Sequence, residues 1–172
     1  MKKIILLGYM GCGKSTVAKI LAQKLQIPHF DLDEMIESKA GLSVKQLFDQ
    51  KGEIYFRKLE HELFDEIVNS PKEFVLSLGG GAPCYANNHL FLQAADVVSV
   101  YLKASIDELY GRLVNEKHKR PLIAEKPAEE MKEFMAKHLF ERSYFYNQAK
   151  NVLTVDGKSA KAVAEEIQKI LL

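Results

Sequence analysis

The 172-residue sequence predicts an α/β fold, a five-stranded parallel sheet flanked by helices in three layers. Three observations predict it. Strand and helix signals alternate from one end of the chain to the other, the pattern of successive βα units. The strands are short and mainly apolar, as in Lys3–Leu7 and Phe74–Leu78, which suits strands covered on both faces. A glycine-rich turn, Gly8–Ser15, joins the first strand directly to the first helix. Residues 1–172 are expected to form one domain, with a mobile lid inserted at about 116–127.

Each element has its own signal. After the strand Lys3–Leu7, apolar residues at Val17, Ile20, Leu21 and Leu25 recur at helical spacing and predict a helix over Lys14–Gln26. Pro28-His29-Phe30 reads as a short strand running into Asp31-Leu32-Asp33, and a helix follows over Glu34–Lys39, closed by Gly41. Ser43 is the expected cap of the next helical stretch, which Gly52 interrupts; its second piece runs over Glu53–Val68 towards Pro71. Phe74–Leu78 is a buried strand ending at Gly79-Gly80-Gly81. A short helix over Asn87–Gln93 leads to the strand Val97–Leu102, and Ser105 caps a helix that ends near Asn115. Glu116–Lys126 is charged, contains Pro121 and shows no period. A long helix runs from Pro127 or Ala128 to Ala149, Val152–Val155 is the last strand, and Ser159 caps a helix to Leu172.

Bulk properties exclude several classes. A net charge of +1 provides no broad basic field for nucleic acid. No apolar run reaches the length of a membrane span, and the first one is too short for a signal peptide. Two cysteines, Cys12 and Cys84, make neither a metal site nor a disulfide framework. A cytoplasmic location, no nucleic-acid or membrane partner and a monomer are expected.

The turn has the pattern Gly-x-x-x-x-Gly-Lys-Ser between a strand and a helix, which is the context of a phosphate-binding P-loop and specifies the fold as that of the P-loop NTPases. Its glycines allow the backbone to approach a ligand, and its N–H groups with the helix N-terminus stabilise an anion. Gly11, Cys12, Gly13, Lys14, Ser15 and Thr16 are therefore the nucleotide-binding candidates. Lys14 is placed to reach the β- and γ-phosphates and Ser15 to hold Mg²⁺, a hard cation that takes oxygen ligands.

Ligands of open α/β sheets bind at the carboxyl ends of the strands, so the polar residues there carry the rest of the reading. Asp31 and Asp33 are two apart; on an extended segment both would face the cleft, one supporting Mg²⁺ through water and the other accepting a substrate hydroxyl proton. Asp33 as a simple helix cap is the competing reading. Gly79, Gly80 and Gly81 lower stability through backbone entropy, which points to a small molecule lying against bare backbone. The strand before them ends Ser77-Leu78, without the Mg²⁺-binding Asp common in P-loop enzymes, so Asp31 is the better metal candidate. Arg57, Arg120 and Arg142 can each grip a carboxylate or phosphate in a two-pronged fork. Arg120 lies in the expected lid, closing over ATP.

The ordered set Gly8–Ser15, Asp31-x-Asp33, Phe48 with Glu53-x-x-Phe56-Arg57, Gly79–Gly81, Arg120-Pro121-Leu122 and Glu141-Arg142-x-Tyr144 resembles the shikimate kinase family along essentially the whole chain. The resemblance implies a nucleoside-monophosphate-kinase type of sheet. It implies transfer of the γ-phosphate of ATP to the 3-hydroxyl of shikimate, with Mg²⁺, on the route to chorismate and the aromatic amino acids. It also implies that Asp33 contacts the ring hydroxyls, that Arg57 and Arg142 hold the carboxylate, and that the Gly79–Gly81 backbone closes the pocket. Phe48 and Phe56 would form the apolar wall, Arg112 an adenine-side contact, and Lys14, Asp33 and Arg120 the catalytic set, with Glu60 orienting Arg57.

Other readings remain open at this stage. Gluconate kinase or a nucleotide kinase on the same fold would also use arginines. A GTPase-like switch needs an Asn-Lys-x-Asp guanine motif that the sequence lacks. A nucleic-acid module is disfavoured by the charge balance.

Overall fold

The computed structural model describes residues 2–116 and 127–172. Among these, five parallel strands form one sheet in the order β2-β3-β1-β4-β5. They are β1 (Lys3–Leu7), β2 (His29–Asp31), β3 (Phe74–Ser77), β4 (Val97–Lys103) and β5 (Asn151–Thr154). The helices are α1 (Lys14–Leu25), α2 (Leu32–Ala40), α3 (Val44–Lys51), α4 (Glu53–Asn69), α5 (Ile106–Val114), α6 (Ala128–Tyr146) and α7 (Ala160–Ile170).

Every residue of β1 is buried, as its apolar run requires of a central strand. β1 pairs with β3 on one side, Lys3 opposite Phe74, and with β4 on the other, Lys3 opposite Val97. The chain fills one side of β1 first and then crosses to the other. The crevice therefore opens above the carboxyl end of β1, where Gly8 begins. The two edge strands, β2 and β5, have three and four residues, and short edges limit pairing with other chains. The core includes Ile4–Leu7, Leu21, Phe64, Phe74–Leu76, Val100 and Ile167.

The sequence places most boundaries within a residue or two. Ser43, Ser105 and Ser159 each accept a hydrogen bond from the backbone N–H three residues on, and Ser43 with Gln46 completes a capping box. Three expectations need correction. Asp33 is not on an extended segment: Asp31 caps α2, which begins at Leu32, so Asp33 lies in its first turn. The long helix ends at Tyr146 instead of Ala149, and the stretch at Asn88–Gln93 is a 3-10 helix. No helix among the described residues is long and apolar enough to cross a membrane. The expected lid, including Arg120, lies outside the described residues apart from Glu116 and Pro127.

Candidate functional site

A cleft of about 630 Å³ lies over the P-loop, bordered by Lys14, Ser15, Thr16, Asp31, Asp33, Gly79, Gly80 and Arg112 among others. On the loop side, Gly13 stands at φ 94° immediately before α1, a conformation an L side chain adopts only with strain. The left-handed turn aims the free N–H groups of the first turn of α1 outward. The Lys14 ammonium donates to the carbonyls of Gly8 (2.6 Å) and Tyr9 (3.2 Å). Arg112 braces the loop from α5. It donates to the Cys12 carbonyl at 3.1 Å and is held in turn by Glu108 through Nε (3.1 Å) and Nη2 (2.9 Å).

Asp31 divides its two oxygens between two elements. Oδ1 accepts from the N–H groups of Asp33 (3.0 Å) and Glu34 (3.2 Å), capping α2; Oδ2 accepts from the Ser15 hydroxyl at 3.3 Å. One carboxylate thus joins the start of α1 to the start of α2. A hydroxyl and a carboxylate side by side are hard oxygen donors, the chemistry Mg²⁺ favours.

Across the cleft the three glycines form a bare ledge, and each step is occupied by a different charged group. A Cβ on Gly79 would lie 2.9 Å from Asp33 Oδ1, one on Gly80 2.9 Å from Arg142 Nη1, and one on Gly81 2.7 Å from Arg57 Nη2. The ledge is glycine because side chains from α2, α6 and α4 already fill the space that a methyl group would need.

These groups are held before any ligand enters. Arg57 Nη1 donates to Glu60 at 2.9 Å, and Glu60 is only 1% exposed. Burial raises the Glu60 pKa against the lowering effect of the Arg57 charge, so the arginine is what makes a buried carboxylate tolerable there. The Arg57 guanidinium also lies 3.9 Å from the Tyr85 ring centroid, 5.2 Å from that of Phe56 and 5.9 Å from that of Phe48, and the two phenylalanine rings stand 4.6 Å apart. Arg142 lies 5.9 Å from the centre of the Tyr9 ring. The Asp33 carboxyl is pushed up to about 6, first by burial and then by the neighbouring Asp31 charge, with Lys14 and Arg57 opposing.

The structure therefore brings together Lys14, Ser15, Asp31, Asp33, Gly79–Gly81, Arg57 and Arg142, with Phe48 and Phe56 packed behind Arg57. Arg112 is committed to the loop carbonyls and Glu108. The sequence reading names neither Tyr85 nor Tyr146 as a site residue; on α6, Tyr144 enters it only within the motif that carries the resemblance. Tyr144 is 63% exposed, whereas Tyr146 is fully buried and donates to the Gly80 carbonyl at 2.6 Å. The signal that separates them is phase: Tyr146 is one turn beyond Arg142, on the same helix face.

A family model described as shikimate kinase matches residues 10–172. A shikimate kinase of Flavobacterium johnsoniae is 60% identical over 171 residues, covering 99% of each chain, and one of Flavobacterium psychrophilum is 49% identical over the same shares. The crystal structure of a shikimate kinase from Bacteroides thetaiotaomicron superposes with a TM-score of 0.90 at 35% identity, covering 98% of this chain and 97% of that one. A shikimate kinase from Acinetobacter baumannii in complex with shikimate gives 0.85 at 30% identity, covering 98% and 92%. Sequence and fold agree along nearly the whole chain, and the chain belongs to the shikimate kinase family.

Proposed function

We propose that this chain transfers the γ-phosphoryl group of ATP to the 3-hydroxyl of shikimate, giving shikimate 3-phosphate and ADP, with the residues above in the following roles. The observation that carries the reading is the ledge, where one carboxylate and two arginines converge beside a P-loop. The P-loop N–H groups and Lys14 hold the phosphates. Arg57, fixed by Glu60 and the aromatic rings, and Arg142 grip the acceptor's carboxylate. That grip sets the ring so that a hydroxyl meets Asp33, and positioning of this kind accounts for most of the catalysis in a loose phosphoryl-transfer transition state. Asp33 orients the hydroxyl first and accepts its proton second. A carboxyl at about 6 is largely ionised at neutral pH and a better proton acceptor than an ordinary aspartate.

Ser15 and Asp31 would hold Mg²⁺, Asp31 through water, and the ion would neutralise charge on the β- and γ-phosphates. Arg120 is the lid arginine of this reading, and Arg112 borders the adenine side while supporting the loop. The chain acts as a single domain and a monomer, in the cytoplasm, without nucleic-acid or membrane partners.

The test is a coupled ADP-release assay with ATP and Mg²⁺, comparing shikimate with gluconate and with nucleoside monophosphates. Turnover with shikimate alone is expected. Turnover with another acceptor would leave the P-loop assignment intact and overturn the acceptor half.

A further inference from the structure

We infer that Tyr146 is a positioning residue for the acceptor half of the site, its phenol tying the middle step of the glycine ledge to Arg142. The inference rests on the acceptor assignment proposed above. α6 carries His138, Arg142 and Tyr146 at intervals of four residues, one stripe of the helix. The stripe faces the site along its length. His138 Nδ1 lies 3.2 Å from the Tyr9 hydroxyl in the P-loop, Arg142 lies by the Tyr9 ring, and the Tyr146 O–H donates to the Gly80 carbonyl at 2.6 Å.

A phenol has one hydrogen to donate and an oxygen that can accept. The hydrogen goes to Gly80, and the Arg142 guanidinium lies at the same step of the ledge: a Cβ on Gly80 would stand 2.9 Å from Arg142 Nη1 and 3.5 Å from the phenol oxygen. Burial raises the phenol's pKa well above its ordinary value against the opposing Arg142 charge, so the hydroxyl remains a donor throughout the working pH range. The ring packs on Tyr101, with centroids 5.1 Å apart, which fixes the oxygen without involving it. Removing that one atom leaves the packing in place, the Gly80 carbonyl without its donor and Arg142 without the polar neighbour at its step of the ledge.

The experiment compares wild type and Tyr146→Phe in the ADP-release assay, varying shikimate at saturating ATP and then ATP at saturating shikimate. The shikimate KM is expected to rise about tenfold, the loss of one buried hydrogen bond passed on to binding, with the ATP KM changed less than about twofold. A tyrosine that only supports the fold would lower Tm and leave both KM values of the folded enzyme unchanged; that result, or an equal rise in both KM values, overturns the inference. Should the variant fail to fold, hydrogen exchange on the wild-type chain decides. Shikimate added alone is expected to slow exchange at Gly80–Gly81 and in the last turn of α6 together, and protection of one without the other refutes the link. A wild-type chain that does not turn over shikimate defeats the function proposed above and this inference with it. An active wild type with an unaltered Tyr146→Phe variant defeats the inference alone.

Discussion

Asp33→Asn is expected to stabilise the protein while disabling it. Burial and the Asp31 charge raise the Asp33 pKa from 3.8 to about 6, so the folded chain holds the proton more tightly than the unfolded chain does. At neutral pH the carboxyl is ionised in both states, and folding carries the whole cost of burying the charge. A rise from 3.8 to about 6 corresponds to about 3 kcal/mol, at about 1.4 kcal/mol per pKa unit. Asparagine keeps the shape without the charge and removes that cost. The sign follows from proton binding: this group lowers wild-type stability as pH rises from about 4 to about 6, and the deficit is constant above. Urea unfolding of both chains between about pH 4 and 8 isolates the effect, because every other titrating group is shared. The variant's midpoint should exceed the wild type's by about 1 to 2 M at pH 7, with the gap closing near pH 4. In the kinase assay its kcat should fall by orders of magnitude while ATP still binds. A gap that does not change with pH would refute the electrostatic argument, and near-normal turnover would remove Asp33 from the mechanism.

Three further outcomes follow from the same geometry. Arg142→Ala should chiefly raise the shikimate KM, and an unchanged value in steady-state kinetics would contradict its role at the carboxylate. Gly81→Ala places a methyl group 2.7 Å from Arg57 Nη2 and should likewise raise the shikimate KM, by about tenfold or more, with ATP binding by calorimetry unaffected. Asp31→Ala removes the α2 cap and the Ser15 partner; it should cost about 1 kcal/mol by urea unfolding and raise the Mg²⁺ concentration needed for half-maximal activity.

The scaffold was legible because its signals are strong and local. β1, β3 and β4 are apolar runs between glycines and loops, and each serine read as a cap has an orphan N–H to satisfy three residues on. The P-loop was legible for the same reason, as a fixed spacing between two recognisable elements. What was lost depended on neighbours distant in sequence. Asp33 sits in a helix because Asp31, two residues before it, caps α2, and the same carboxylate accepts from Ser15 at the start of α1, sixteen residues earlier in the chain. Tyr144 and Tyr146 are chemically identical, and tyrosine's apolar ring with a polar tip suits either surface or interior. Only the phase of α6 against Gly80 separates them, and aromatic residues at Phe134, Phe140, Tyr144, Phe145 and Tyr146 obscure that phase. Tyr85 meets Arg57 across a turn that no periodic pattern describes.

The glycine ledge also has a direction. Successive residues are 3.8 Å apart, so its three steps present one negative and then two positive groups over about 8 Å. In the roles proposed above, an acceptor would satisfy that sequence in one orientation only, with a hydroxyl at the Gly79 end and an acid at the Gly81 end. Turned round, it would set its carboxylate against Asp33 and leave an arginine facing a neutral hydroxyl. A ring bearing several similar hydroxyls would thereby be sorted by its single charge, and polarity along the backbone would choose which oxygen receives the phosphoryl group before ATP takes part.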